Sequence, residues 1–121
     1  MCVILIVEDE VFIREIAVML VEDWGDTVIA ASDVEAALSV LRSSQHIDVL
    51  FTDIYLKAAM FGGCDLAREA IKIRPGLRVL YTTGNTATEK LKALFVDGAH
   101  FIGKPYTSHQ LQGSVEALLA S

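Results

Sequence analysis

The sequence predicts an α/β fold: a doubly wound, five-stranded parallel sheet in the strand order 2-1-3-4-5, with five helices on its two faces. Two observations carry this prediction. Apolar runs of about five residues alternate from end to end with segments whose apolar residues recur at helical spacing. The connections between them are short, and right-handed crossovers then place helices on both faces of a parallel sheet, for which 2-1-3-4-5 is a common order.

The predicted strands are continuous apolar runs, which are typical of strands buried on both faces of a sheet. They are expected at Val3–Val7, Thr27–Ala31, Asp48–Thr52, Arg78–Thr82 and His100–Gly103. The longest irregular stretch, Ile54 to Gly63, directly follows the third strand.

The predicted helices fill the intervals between these strands. In the first helix, one face carries Ile13, Ile16, Ala17, Leu20 and Val21 at the i, i+3, i+4, i+7, i+8 spacing. The same spacing predicts four more helices, marked by apolar residues between Val34 and Leu41, Gly63 and Ile71, Ala87 and Phe95, and Leu111 and Leu119. Capping boxes are predicted at Ser32 to Glu35, Thr86 to Glu89 and Thr107 to Gln110, and helix ends at Gly25, Gly76 and Gly98.

Length and composition are typical of one domain over residues 1–121, and a cytoplasmic location is expected. A chain of 121 residues can form a self-sufficient core, and no apolar run approaches the roughly 20 residues that a membrane helix needs. The first residues lack a basic leader and a cleavage site, so no signal peptide is expected. The formal charge of −6 argues against direct nucleic-acid binding. Cys2 and Cys64 match no metal spacing and are interpreted as small apolar fillers, with a redox role for Cys64 left open.

Polar residues follow three of the predicted strands, at the point where each strand ends. Glu8 and Asp9 come after the first strand, Asp53 after the third, and Lys104 with Pro105 after the fifth. These ends lie at one rim of a parallel sheet, and ligands bind there beside the switch point between the first and third strands. Each residue alone has an ordinary explanation, such as a helix cap for Asp9 or a solvated position for Lys104. Their joint placement on one rim favours a functional site.

A cluster of Glu8, Asp9 and Asp53 would carry strong mutual repulsion, and a bound phosphoryl group would add more negative charge. A hard divalent cation removes that obstacle, and Mg²⁺ prefers oxygen ligands that include one or two carboxylates. Phosphoryl transfer needs mainly positioning and compensation of charge, which a metal, a lysine and a hydroxyl supply together. The cluster is therefore predicted to hold Mg²⁺, with Mn²⁺ as a substitute.

In these residues the chain resembles the receiver domains of two-component response regulators, of the chemotaxis type, which have a flavodoxin-like fold. The resemblance rests on Glu8-Asp9 after the first strand and on Asp53 after the third. It continues with Thr83-Gly84 after the fourth strand and with the segment from Phe101 to Pro105 at the fifth. It covers essentially the whole chain, and the ordered set of motifs at this spacing is specific although each motif is short.

The resemblance implies a chemical role for three of these side chains. Asp53 would be the phosphoacceptor, attacking the phosphorus of a phosphohistidine to form an acyl phosphate. Thr83 would donate its hydroxyl, and Lys104 its ammonium, to the phosphoryl oxygens. A cis peptide bond between Lys104 and Pro105 would aim the ammonium inward.

The resemblance also implies how the metal is held and how dephosphorylation is tuned. Asp9, Asp53 and the backbone carbonyl of Tyr55 would ligate the metal directly, and Glu8 would act through a metal-bound water. Tyr55 and Asn85 occupy positions that control the water attacking the acyl phosphate. A bulky Tyr55 is expected to cover the acyl phosphate and lengthen its lifetime.

Signalling in the family implies a switch built from Thr83 and Phe101. The threonine moves towards the phosphoryl group and the aromatic residue swings inward behind it, which changes the surface of the fourth helix, fifth strand and fifth helix. Phe101 lacks the hydroxyl that a tyrosine would offer to a partner. The resemblance implies a sensor histidine kinase or histidine phosphotransfer protein as donor and a downstream protein target, with no membrane partner. A homodimer that forms on phosphorylation is left open.

The segment after Asp53 departs from the family pattern. Lys57 stands where the family commonly has proline, and the stretch to Gly62-Gly63 is slightly longer than usual. An exposed Met60-Phe61 is a candidate partner contact. The Gly-Gly pair is interpreted as a flexible turn in preference to a phosphate cradle.

The preferred interpretation is a phosphoacceptor switch, which is expected to have no attached effector domain and to turn over no separate substrate. Three other functions are less consistent with the sequence. A phosphorylation-independent pseudo-receiver, acting as a protein interaction module, is disfavoured by the retained acids, Thr83 and Lys104. A phosphatase with an aspartate nucleophile would need a second aspartate where Tyr55 stands. A flavin-binding relative would need a phosphate loop after the first strand.

Overall fold

The structure, a computed structural model, describes residues 2–57 and 60–121, in which strands alternate with helices. The strands are β1 (Val3–Val7), β2 (Thr27–Ala31), β3 (Val49–Asp53), β4 (Arg78–Thr83) and β5 (His100–Gly103). The helices are α1 (Val11–Asp23), α2 (Val34–Arg42), α3 (Gly62–Ile73), α4 (Glu89–Lys92) and α5 (Ser108–Ala120). Neighbouring strands pair in parallel in the order β2-β1-β3-β4-β5. The predicted fold class and strand order are confirmed.

The sheet separates two apolar layers, because successive side chains of a strand point to opposite faces. One layer lies beneath α1 and α5 and includes Ile6, Phe51 and Leu80 from the sheet. The other lies beneath α2, α3 and α4 and includes Val7 and Tyr81. The three central strands β1, β3 and β4 are therefore anchored by buried side chains on both faces.

Two strands end one residue later than the sequence predicts. β3 runs over Val49–Asp53, so Asp53 is the last strand residue, paired with Thr82. Asp48 lies outside β3, and its carboxylate accepts a hydrogen bond of 2.8 Å from the Val3 backbone N–H. β4 extends to Thr83, which pairs with Gly103 of β5. Pairing across the sheet, which local composition does not reveal, sets these ends.

Two of the three helix starts differ from the prediction. The capping box of Thr107 and Gln110 at α5 is confirmed. The box predicted from Ser32 is wrong, because Asp33 caps α2 and its carboxylate accepts a hydrogen bond of 2.8 Å from the Ala36 N–H. Two adjacent capping residues compete there, and the carboxylate is the one that reaches the helix.

The fourth helix is much shorter than its apolar spacing predicts. It starts after Thr88, whose hydroxyl accepts from the Leu91 N–H at 3.2 Å, so the box predicted from Thr86 is wrong. Beyond Lys92 the chain leaves the helical path. The Phe95 ring stacks on Tyr81 with centroids 4.2 Å apart, and the Val96 N–H donates to the Tyr81 hydroxyl at 3.1 Å. Tertiary contacts to β4 thus end the helix.

The predicted glycine positions differ in backbone conformation. Gly25, directly after α1, has φ of 91°, as expected for a left-handed residue that ends a helix. Gly98 has φ of 77° but lies beyond the short α4. Gly76 is not in the left-handed region, so that part of the prediction is wrong; α3 ends before Pro75.

Neither cysteine carries the marks of a reactive thiol. Both are free, and Cys64 is buried within α3. Burial raises the pKa of the Cys2 thiol to about 11 and raises that of Cys64 as well, so the reactive thiolate is disfavoured at both positions.

Within residues 2–57 and 60–121, none of the helices combines the length and apolarity needed to cross a bilayer.

Candidate functional site

Four polar side chains share one face of the sheet at the carboxyl ends of its strands. The apolar residues that pack beneath α1 and α5 include Ile6, Phe51, Leu80 and Ile102. Side chains alternate along a strand, so the residues two positions further on face the same way. These residues are Glu8, Asp53, Thr82 and Lys104. The alternation of the core thus places two carboxylates, a hydroxyl and an ammonium side by side.

Lys104 forms ion pairs with both buried carboxylates. Its Nζ donates to Glu8 Oε1 and to Asp53 Oδ2, each at 2.7 Å. Glu8 is 4 % exposed and Asp53 is 7 % exposed, so these contacts lie in a region of low dielectric. Two acids and one base leave a net negative charge at this point of the rim.

Burial and charge act on these groups in opposite directions. Burial raises the pKa of the Glu8 carboxyl, and the charge of Asp53 adds to that effect, although hydrogen bonds from Lys104 and the Glu10 N–H oppose it. Burial also works against the charge of Lys104, but its hydrogen bonds to Asp53 and Glu8 outweigh this, and the pKa of the ammonium is raised. Lys104 therefore stays charged throughout the physiological range.

Backbone N–H groups hold the free oxygens of the acidic residues. The Tyr55 N–H donates to Asp53 Oδ1 at 3.2 Å. The Lys57 N–H donates to Asp9 Oδ2 at 2.5 Å. The latter contact would not exist with proline at position 57, because proline has no N–H.

The donor set fits a hard divalent cation. One ligand oxygen each from Glu8, Asp9 and Asp53 lies within 4.8 Å of the other two. Carboxylate oxygens at this spacing are ligands that Mg²⁺ prefers. Their negative charge exceeds what Lys104 neutralises, so a cation would relieve the remaining repulsion.

Thr83 lies on the opposite side of β4 from the ion pairs. Its hydroxyl is buried and accepts a hydrogen bond of 3.2 Å from the N–H of Asn85, which is itself exposed. Its backbone carbonyl accepts from the Lys104 N–H at 2.9 Å, which ties β4 to the residue that carries the ammonium. The peptide bond from Lys104 to Pro105 is cis, as expected.

Two aromatic residues with predicted functional roles, Phe101 and Tyr55, pack beside the carboxyl ends of the strands. Phe101 is half-buried on β5, and its ring stacks near that of Phe95, with centroids 6.2 Å apart. The ring of Tyr55 is tilted against Phe61 with centroids 5.6 Å apart. Phe61 is thus partly covered, whereas Met60 is 71 % exposed. The neighbouring Ala58 and Ala59, part of the unusual segment singled out in the sequence, lie outside the described residues.

The pattern of the sequence is misleading for the glycine pair Gly62-Gly63, and it assigns no role to Thr82, which is expected to point away from Thr83. Gly62 and Gly63 form the start of α3 and are buried, so the interpretation as a flexible turn is wrong. A Cβ on Gly63 would lie 1.9 Å from the Asp53 carbonyl oxygen, so only glycine lets α3 pack this close to the phosphoacceptor candidate. Thr82 points to the face opposite Thr83, as alternation predicts, and that is the face of Asp53. The position of Thr82 beside Asp53 follows from the register between β3 and β4, which the sequence alone does not reveal.

Comparisons with known proteins agree with this geometry. The family described as response regulator receiver domain matches residues 4–116. Curated relatives include a response regulator receiver protein of Anaeromyxobacter sp. (strain Fw109-5), 31 % identical over 78 % of this chain and 38 % of its own length. The alkaline phosphatase synthesis transcriptional regulatory protein SphR of Synechococcus elongatus is 28 % identical over 96 % of this chain and 48 % of its own length. The chain thus spans less than half the length of these curated relatives.

Solved structures give the same result over the full length of the fold. A response regulator receiver protein from Sinorhizobium medicae superposes with a TM-score of 0.89 at 30 % identity, covering 99 % of this chain and 95 % of the other. A receiver domain protein from Clostridium thermocellum superposes with a TM-score of 0.86 at 27 % identity, covering 99 % and 95 %. The chain belongs to the family of response regulator receiver domains of two-component systems.

Proposed function

We propose that this receiver domain is a phosphoacceptor switch in which Asp53 takes a phosphoryl group from a phosphohistidine. The observation that carries the proposal is the ammonium of Lys104, which lies 2.7 Å from both Asp53 and Glu8 beside a third carboxylate. Structural proteins rarely bury such a costly charge cluster at a ligand-binding rim, whereas phosphoryl chemistry uses it.

The reaction is a transfer between two protein side chains. An oxygen of the Asp53 carboxylate attacks phosphorus, and an O–P bond forms. The P–N bond of the phosphohistidine breaks, and its electron pair goes to the imidazole nitrogen. Lys104 turns from Asp53 towards the phosphoryl oxygens. The Thr83 hydroxyl, which faces the other side of β4 in the unphosphorylated domain, moves to donate to another of them.

Asp9, Asp53 and the backbone carbonyl of Tyr55 would hold Mg²⁺, or Mn²⁺ in its place, with Glu8 acting through a water. The bound ion supplies positive charge next to the phosphoryl oxygens. Lys104 and the Tyr55 N–H fix the orientation of Asp53, because each already holds one of its carboxylate oxygens.

The phosphodonor docks on the exposed apolar face of α1. Phe12 is 79 % exposed, and Val11, Ile16 and Met19 are exposed beside it. A groove of about 460 Å³ between α1 and the segment after β5 is lined by Ile13, Ile16, Lys104, Pro105 and Tyr106. Since Lys104 belongs to both groove and site, a helix of a histidine kinase or phosphotransfer protein seated here would lie beside Asp53.

The output surface consists of α4, β5 and α5. Phe101 lies on this surface and contacts Phe95, which in turn stacks on Tyr81 two residues before Thr83. A Thr83 that moves towards the phosphoryl group would let Phe101 turn inward, and a downstream protein or a second phosphorylated copy would read the change. The domain is proposed to work in the cytoplasm and to turn over no substrate of its own.

Acetyl phosphate in the presence of Mg²⁺ tests this function directly. Intact mass spectrometry should show one added phosphoryl group on the wild-type chain and none on Asp53→Asn. If neither acetyl phosphate nor a phosphorylated histidine kinase modifies the wild type, the domain is a pseudo-receiver that acts through protein contacts alone.

A further inference from the structure

The Thr82 hydroxyl is buried beside Asp53 without a hydrogen-bond partner. The residue is 3 % exposed, and within residues 2–57 and 60–121 its Oγ1 is the one buried side-chain polar atom that has no hydrogen-bond partner. Its neighbours are satisfied: the Thr52 hydroxyl donates to the Asp53 carbonyl at 3.0 Å, and the Thr83 hydroxyl accepts from Asn85. Buried hydroxyl groups in native proteins normally have a partner, so this one calls for an explanation.

A small cavity adjoins Thr82 on the face that carries the ion pairs. Its lining includes Glu8, Asp53, Thr82 and Tyr106 together with apolar side chains of the core. The space open to the centre of a water molecule is about 10 Å³, which is room for one water and for nothing larger. A cavity of this size stays dry when its walls are apolar. The walls of this cavity include the polar side chains of Glu8, Asp53 and Thr82, which can hold a water molecule by hydrogen bonds.

We propose that Thr82 is a positioning residue that acts on Asp53 and Glu8 through a single water molecule held in this cavity. The water accepts the hydrogen bond of the Thr82 hydroxyl and donates one hydrogen bond to each carboxylate. It thereby makes three hydrogen bonds, the usual number for a buried water. The water-binding site stands on the structure alone, whereas its effect on phosphorylation rests on the proposed function of Asp53.

This arrangement complements the contacts that Asp53 already makes. Lys104 holds Oδ2 and the Tyr55 N–H holds Oδ1, but each carboxylate oxygen has two acceptor sites. When Lys104 turns towards the phosphoryl group, Oδ2 loses its strongest partner. A water anchored by Thr82 then keeps the carboxylate in its attacking orientation without placing another charge next to the incoming phosphoryl.

Two substitutions separate the hydroxyl of Thr82 from its shape. Thr82→Val keeps the volume and removes the hydrogen bond, whereas Thr82→Ser keeps the hydroxyl. With acetyl phosphate and saturating Mg²⁺, we expect the maximal phosphorylation rate of the Val variant to fall about ten-fold and that of the Ser variant to stay within about two-fold of wild type. The concentration of acetyl phosphate at half-maximal rate should be unchanged in both, because Thr82 does not touch the donor.

The outcomes distinguish this inference from the proposed function. A Val variant as fast as wild type, or Val and Ser variants that are equally slow, would overturn the positioning role. High-resolution crystal structures supply a second measurement that needs no phosphorylation. Water density between Thr82 and the two carboxylates in wild type, lost in the Val variant, supports the site even if the wild type accepts no phosphoryl group and the proposed function fails. A dry cavity in wild type overturns the inference.

Discussion

Gly63 is a residue at which a single added methyl group should clearly destabilise the fold. Its N–H donates to the Ile54 carbonyl at 3.0 Å, and an added Cβ would lie 1.9 Å from the Asp53 carbonyl oxygen. The obstacle is backbone, so only a shift of α3 or of the end of β3 relieves it. We expect Gly63→Ala to lower the free energy of unfolding by about 1–3 kcal/mol, measured by urea denaturation followed by circular dichroism.

Gly113 provides a matched control within α5, since nothing lies within 4 Å of a Cβ added there. Gly113→Ala should raise the free energy of unfolding by about 0.5–1 kcal/mol, because alanine loses less backbone freedom in a helix. Equal effects of the two substitutions would show that α3 does not pack on Asp53 as described.

Tyr55 should set the lifetime of the acyl phosphate. Its ring leans on Phe61 at the start of α3, which holds it beside the phosphoacceptor. We expect Tyr55→Ala to shorten the phosphoryl half-life, because water then reaches the acyl phosphate more freely. The half-life is measured by intact mass after removal of acetyl phosphate. A variant that decays at the wild-type rate or more slowly contradicts this role.

The ammonium of Lys57 should weaken metal binding. It is exposed and pairs with Glu10 at 2.9 Å, which holds a positive charge next to Asp9 and raises the pKa of Lys57. Lys57→Ala removes that charge and keeps the N–H bond to Asp9, so Mg²⁺ affinity at low salt should rise about two- to five-fold by isothermal titration. Lys72, equally exposed and paired with Glu69, is the control whose alanine variant should bind as wild type does. If affinity is unchanged for both, the Lys57 charge is too well screened to matter.

Residues at the ends of apolar runs could be predicted from the sequence, whereas those defined by neighbouring strands could not. Glu8 and Asp53 follow runs whose burial is evident from composition, so their place on the rim follows from the fold class. Gly63 must be a glycine because α3 packs against the backbone of Asp53, which lies 10 residues earlier in the chain. Thr82 lies beside Asp53 because the two residues pair between β3 and β4. Close approach and register are properties of the assembled sheet.

At the scale of elements, local signals fail where tertiary contacts are stronger. The apolar spacing from Ala87 to Phe95 predicts a helix of several turns, yet α4 covers only Glu89–Lys92. Phe95 gains more by stacking on the buried Tyr81 than it would by continuing the helix. The short α4 leaves the proposed output surface with little regular structure of its own, so contacts with Tyr81 and Phe101 hold this segment in place.

The apolar face of α1 should affect transfer between proteins but not the chemistry at Asp53. Phe12 and Ile16 are exposed and make the surface on which we place the donor. The double variant Phe12→Ala and Ile16→Ala should slow phosphotransfer from a histidine kinase that phosphorylates the wild-type chain, by about ten-fold or more, since buried apolar anchors dominate interface energies. The rate with acetyl phosphate should not change.

Leu119, near the C-terminal end of α5 and 42 % exposed, is a control because it is an exposed apolar side chain on another helix. Leu119→Ala should leave both rates unchanged. A double variant slowed equally with both donors would point to damage of the site, and one slowed with neither would move the docking surface elsewhere.

The charge distribution of the whole molecule links metal binding to stability. The chain carries a net charge of −6, and three of its acids converge on one rim, where the half-buried Lys104 pairs with two of them. The fold that brings them together therefore retains repulsion that the unfolded chain does not have. A cation that binds this preformed cluster stabilises the folded state by mass action.

Mg²⁺ should accordingly raise the melting temperature. At a concentration one hundred times the dissociation constant, the stabilisation is about 2.7 kcal/mol, which corresponds to a shift on the order of 10 °C for a domain of this size. Asp9→Asn should abolish most of the shift because it removes a proposed ligand. Asp97→Asn makes the same change of charge at an exposed position outside the cluster and should retain the shift. Equal shifts in the two variants would mean that Mg²⁺ acts by general screening, and the cluster of Glu8, Asp9 and Asp53 would then not be a metal site.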